Sequence, residues 1–102
     1  MTPTLLVRRE QLVALCRKYH VRRLDVFGSA AGDSFNEQSS DVDLLVEFEE
    51  LSFADRADAY LGLLAESQAV LGRRVDLVEI GAVRNPYLRQ GIEASRQLLY
   101  AA

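Results

Sequence analysis

The sequence predicts an α/β domain: a small sheet covered by helices. Three observations carry that expectation. Apolar residues recur at helical spacing before residue 20 and between residues 53 and 71. Three segments, RRLDVF, VDLLVEF and RVDLVEI, are β-branched, aromatic or alternating and end in glycine or polar residues. Hydrophobic residues make up 49% of 102 residues, enough for one compact core, so one domain spanning residues 1–102 is expected.

Leu12, Leu15, Cys16 and Tyr19 fall at i, i+3, i+4 and i+7 and mark one face of a first helix. Residues 22–27 form a first strand, which Gly28 ends. Small and polar residues over 30–40 read as a short helical turn followed by a loop, and residues 42–48 as a second strand. Ser52 and Asp55 fit a capping box, with Leu51 placed as its hydrophobic staple. The helix they open is expected to bury Phe53, Ala57, Tyr60, Leu61, Leu64 and Leu71, and Gly72 closes it. Residues 74–80 form a third strand, stopped by Gly81. Asn85 and Pro86 start a last helix whose expected apolar face is Leu88, Ile92 and Leu99. Strand order and direction do not follow from this pattern.

Composition narrows the chemistry. A net charge of −3 argues against general nucleic-acid binding. No apolar run approaches ~20 residues and the first residues lack a signal-peptide core, so a soluble, cytoplasmic protein without a membrane partner is expected. Cys16 is the one cysteine and His20 the one histidine, which removes disulfides, cysteine metal centres and multi-histidine zinc sites. The charge is unevenly spread: residues 1–23 carry +5, residues 24–72 carry −10 and residues 73–102 carry +2. An acidic middle between basic ends suits either a divalent-cation site or a solvated face.

Within that acidic middle, alternation along the second strand puts Val42, Leu44, Val46 and Phe48 on one side and Asp41, Asp43, Leu45 and Glu47 on the other. Two aspartates at i and i+2 have Cα atoms ~6.5–7 Å apart and point the same way, so their oxygens can converge on a hard cation or bridge two. Asp76, between Val75 and Leu77 on the third strand, is the candidate third carboxylate. A charged residue in that apolar setting requires a partner, which Arg73, Arg74 or an exposed strand end would also satisfy. Glu47 and Glu79 are further ligand candidates, although their alternation equally fits a polar strand face. Gly28 and Ser29 follow the first strand directly. A glycine permits close backbone approach, and amides and a hydroxyl opening a short turn can donate to phosphate oxygens; the same dipeptide also serves as an ordinary turn.

Together, FGSAAGDSFNEQSSDVDLLVEF and RVDLVEI resemble the minimal nucleotidyltransferases (MNT) of the DNA polymerase β superfamily, over residues 20–80 in motif terms. The segment NPYLRQGIEASRQLLY is similar to that family's closing helix. The resemblance implies a nucleotidyltransferase-like α/β (α+β) core with a small mixed sheet. It implies that Gly28 and Ser29 hold nucleotide phosphates, that Asp41, Asp43 and Asp76 bind two Mg²⁺ ions, and that Asp76 helps activate the attacking hydroxyl. It further implies a magnesium-dependent enzyme that moves AMP from ATP to a hydroxyl, with a tyrosine of a helical HEPN-type toxin as acceptor and this chain as antitoxin. The alternative is a non-catalytic antitoxin that neutralises its partner by contact alone; either reading leaves homo-oligomerisation open. The chain departs from the frequent G-S-x-A-R-G pattern, with Gly32 in place of the arginine and Asp33 in place of the glycine.

Overall fold

The computed structural model describes residues 1–32 and 41–102. Helix α1 spans Pro3–Lys18 and strand β1 Val21–Phe27, followed at once by a 3₁₀ turn at Gly28–Ala31. Strand β2 (Val42–Phe48), helix α2 (Phe53–Leu71) and strand β3 (Val75–Glu79) come next. A short turn at Ile80–Ala82 leads to α3 (Pro86–Ser95) and β4 (Gln97–Ala101). The sheet order is β3-β2-β1-β4, with β1 antiparallel to both neighbours and β2 parallel to β3. Among the described residues, three helices thus pack on a four-stranded mixed sheet.

Local chemistry explains the boundaries. Thr2 caps α1, its hydroxyl accepting from the Leu5 amide at 3.4 Å, and Pro3 sits where no helical amide is needed. The Ser52 hydroxyl accepts from the Asp55 amide at 3.1 Å and starts α2 as its sequence predicts. Gly72, with φ of 67°, supplies the left-handed residue that closes α2. Asn85 caps α3 by accepting from Tyr87 and Leu88.

The main core lies between α1, α2 and one sheet face, where Leu12, Leu24, Leu44, Val46 and Leu63 are all but fully buried. On the opposite face, Phe27, Leu45, Val83 and Ile92 form a smaller cluster. Leu45 therefore packs on the face that carries Asp43, which makes that face part apolar and part acidic.

Two expectations need correction. The last helix stops at Ser95, and Leu99 is a buried residue of β4 rather than part of a helix face. The closing segment is thus a helix followed by an antiparallel strand. In α2 the buried stripe is Ala59, Leu63, Ser67 and Leu71, while Phe53, Ala57 and Leu61 face outward and Tyr60 and Leu64 are half-buried. That row joins the core shared by α1 and the sheet, where Ala59, Leu63 and Leu71 pack. Ser67 is tolerated there because its hydroxyl donates to the Leu64 carbonyl at 3.1 Å. At the β4 edge, the Arg9 guanidinium donates to the carbonyls of Leu98 and Leu99, each at 3.3 Å. A register shift in the β1–β4 pairing lies beside these residues.

Candidate functional site

The site is built at the starts of β2 and β3 and the end of β1. Because β2 and β3 are parallel with Val42 opposite Val75, Asp43 falls opposite Asp76. Adjacent strands lie ~4.8 Å apart, so the two aspartates share one face of the sheet as close neighbours. On the other side of β2, Asp43 is the register partner of Phe27, the last residue before the glycine turn. Asp41 precedes β2 and is exposed, Asp43 is half-buried, and Asp76 is exposed.

Electrostatics tie the three together. The Asp43 carboxyl is raised above its ordinary value by burial first, then by the charge of Asp76, then by that of Asp41. Tyr60 reaches from α2 to donate to the Leu77 carbonyl, clamping the strand that carries Asp76. Its phenol is also raised, by burial and then by Asp76 and Glu79.

Gly28 closes the site from above. Its φ of 67° lies in the left-handed region. A β-carbon on it would come within 3.0 Å of Oδ2 of Asp43. Glycine is required twice over, by backbone conformation and by the approach of the turn to the carboxylate. The Gly28 amide donates to the Ser95 hydroxyl at 3.0 Å, and that hydroxyl donates to the Gly91 carbonyl at 3.1 Å. From the other side, the Thr2 amide donates to the Ala30 carbonyl at 3.2 Å. Ser29 is half-buried in the turn. Gly32 is exposed, with open space where a β-carbon would be, and Asp33 lies outside the described residues.

The donor set suits a hard divalent cation: all oxygen, two carboxylates opposed on neighbouring strands, and Asp43 held in a local excess of negative charge. Among the described residues, however, no three His, Cys, Asp or Glu side chains are grouped so that they could hold a metal ion. Asp43 and Asp76 are brought together, whereas Asp41 flanks them at the strand entrance. Glu47 and Glu79 lie toward the far ends of β2 and β3. There they take part in ion pairs, Glu47 with Arg22 at 3.6 Å and Glu79 with Arg56 at 3.8 Å. A cleft of about 440 Å³ lined by those four residues contains none of the aspartate or glycine candidates.

Sequence reasoning missed Asp25. Its side chain is fully buried on β1 and held by Arg96 and by Arg23, the latter at 3.0 Å. The signal was present, since an acid inside LDVF demands a partner for the same reason as one inside VDLV. Ser95 carried no such signal; only the fold brings it to Gly28, 67 residues away.

Comparison with known proteins agrees with this architecture. The family profile described as "Nucleotidyltransferase domain" matches residues 8–99. Two Methanocaldococcus jannaschii chains, both provisionally named protein adenylyltransferases, are 41% and 34% identical over 91 and 87 residues, with 85% of each chain covered. A solved structure provisionally named a minimal nucleotidyltransferase is 37% identical, with a TM-score of 0.67 over 92% of this chain and 91% of that one. Two solved complexes share the fold at lower identity. One is a tri-AMPylated Shewanella oneidensis HEPN toxin with its MNT antitoxin, at TM-score 0.66 and 19% identity over 95% of this chain and 72% of that one. The other is a toxin–antitoxin with AMP-PNP, at TM-score 0.68 and 21% identity over 92% and 73%. Among the described residues no helix is long and apolar enough to cross a membrane. Matched by its profile over nearly its whole length and by relatives along most of theirs, the chain belongs to the nucleotidyltransferase domain family.

Proposed function

We propose that this nucleotidyltransferase moves AMP from ATP to a tyrosine hydroxyl of a HEPN-type partner protein, and acts as that partner's antitoxin. The observation that carries the reading is the opposition of Asp43 and Asp76 across β2 and β3 with the Gly28 turn over Asp43. Support comes also from the relatives named for protein adenylylation and from the AMP-PNP and AMPylated-toxin complexes that share the fold.

In this reading Asp41, Asp43 and Asp76 would hold Mg²⁺, which when bound would supply positive charge against the phosphates. The Ser29 hydroxyl and the backbone of the turn orient the triphosphate. Asp76 would accept the proton of the incoming hydroxyl, a role its exposure at the start of the edge strand β3 supports. The acceptor oxygen bonds to the α-phosphorus, the bond to the bridging oxygen breaks, and pyrophosphate leaves. Much of the rate comes from holding these groups in line.

The test is to incubate the purified protein with Mg²⁺, each labelled nucleoside triphosphate and a helical HEPN-type protein. Labelling of a partner tyrosine, best with ATP and abolished by Asp43→Ala, is the expected result. The contact-only antitoxin draws on one observation, the side-chain-free Gly32 where the related pattern has arginine. It predicts no label with any nucleotide and full neutralisation by Asp43→Ala.

A further inference from the structure

We infer that Ser95 is a positioning residue of the glycine turn: by accepting the Gly28 amide, it fixes the turn over Asp43 and so presets the site that receives the nucleotide phosphates. The inference rests on the nucleotide-transfer reading above and adds to it a residue outside the glycine and aspartate motifs.

The far end of the turn is held by the Thr2 amide on the Ala30 carbonyl at 3.2 Å and by the N-terminal ammonium on the Ala31 carbonyl at 3.0 Å, so what is left to fix is its first residue, Gly28. Gly28 has the widest backbone freedom of any residue type, and its φ of 67° must be maintained against that freedom. The Ser95 hydroxyl accepts from the Gly28 amide at 3.0 Å and is itself aimed by donating to the Gly91 carbonyl at 3.1 Å. With both its donor and one acceptor position used, the hydroxyl has a defined direction.

Ser95 is in turn anchored. It is the last residue of α3, and the next residue, Arg96, pairs with the buried Asp25 of β1. Asp25 uses its second oxygen on Arg23, and Arg96 also bonds Glu93 at 2.7 Å. The end of α3 is therefore tied to the strand from which Gly28 departs, two residues beyond Val26. The route runs Asp25, Arg96, Ser95, Gly28, and ends against the Asp43 carboxylate. One consequence follows for ligand recognition. The Gly28 amide is already engaged, so Gly28 serves the phosphates by shape, and direct donation falls to Ser29 and the amides after it.

The test compares Ser95→Ala and Ser95→Thr with the parent. Hydrogen exchange of the Gly28 amide is followed by NMR, affinity for AMP-PNP with Mg²⁺ by calorimetry, and KM for ATP separately from kcat in the labelling assay. Ser95→Ala should exchange Gly28 and bind AMP-PNP about tenfold faster and weaker respectively, the worth of one hydrogen bond. KM should rise in step while kcat is nearly unchanged, and Ser95→Thr, whose hydroxyl can make both bonds, should restore all three. A purely structural serine would lower the melting temperature without moving KM. Unchanged Gly28 exchange, or unchanged nucleotide affinity in Ser95→Ala, overturns the inference. A parent that binds no nucleotide overturns the reading of the site instead, and Gly28 exchange then decides by itself whether Ser95 sets the turn.

Discussion

Gly28 and Asp43 stand so close that no side chain can be added to the glycine without striking a carboxylate oxygen. The contact joins the end of β1 to the start of β2 through the same pairing that sets Phe27 opposite Asp43. In the folded protein it couples the conformation of the turn to the position of the carboxylate.

Gly28→Ala should therefore cost stability in two separable ways. The left-handed φ alone is worth about 1–2 kcal/mol for an alanine, and the overlap with Oδ2 of Asp43 adds to it. Urea melts of Gly28→Ala, Asp43→Ala and the double variant should be subadditive, because removing the carboxylate relieves the overlap and leaves the φ cost.

The pH dependence of stability should carry the mark of Asp43. Its carboxyl is raised by burial, then by Asp76 and Asp41, so the folded protein holds this proton more tightly than the unfolded chain does. Its contribution is complete below the ordinary carboxylate value of 3.8 and is lost as pH rises through the raised folded value. Asp43→Asn should be more stable than the parent above that range, with the gap closing toward acid, when melts are compared across pH. A gap that stays constant with pH would show that the substitution acts through packing.

Removing one partner of the Asp25–Arg96 pair should be severe. Asp25 is fully buried, whereas the Arg96 side chain keeps 18% exposure and a second bond to Glu93. Asp25→Ala should accordingly fall near the low end of the cost of breaking a buried pair, about 3 kcal/mol. Joint replacement, Asp25→Leu with Arg96→Met, should recover most of it, since no charge is left stranded. A double-mutant cycle by urea denaturation measures both.

Cys16 should report global opening. It is completely buried in α1, and burial pushes its thiol up to about 12. A disulfide reagent at neutral pH should react only as fast as the chain unfolds, and variants that lower stability should speed the reaction in proportion to the open population.

Much of this architecture is readable from local pattern. The alternation in VDLLVEF and RVDLVEI gave both strands of the site, while the parallel pairing and the register that oppose Asp43 and Asp76 came only with the fold. The start of α2 was legible because a capping serine acts within four residues. What failed was chemistry with two local solutions. Leu88, Ile92 and Leu99 fit one helical face, yet Leu98, Leu99 and Tyr100 also suit a strand, and pairing with β1 decided for the strand. In α2, two adjacent stripes both looked usable, and packing into the core shared with α1 and the sheet selected the one through Ala59 and Leu63. The pairing of Asp25 with Arg96, 71 residues apart, has no local signature beyond the cost of burying Asp25.

The topology also sets an order of assembly. Strands β2 and β3 are joined through α2 alone, so the segment that opposes Asp43 and Asp76 closes over a short stretch of chain. Pairing β4 with β1 instead joins partners much farther apart in the chain, from Val26 with Gln97 to Arg23 with Ala101, and the entropy of that closure grows with the separation. The two carboxylates are thus expected to meet while the glycine turn is still loose, and the turn is locked only when α3 and β4 dock and deliver Ser95. An assembling chain would acquire its affinity for cations before its grip on the nucleotide.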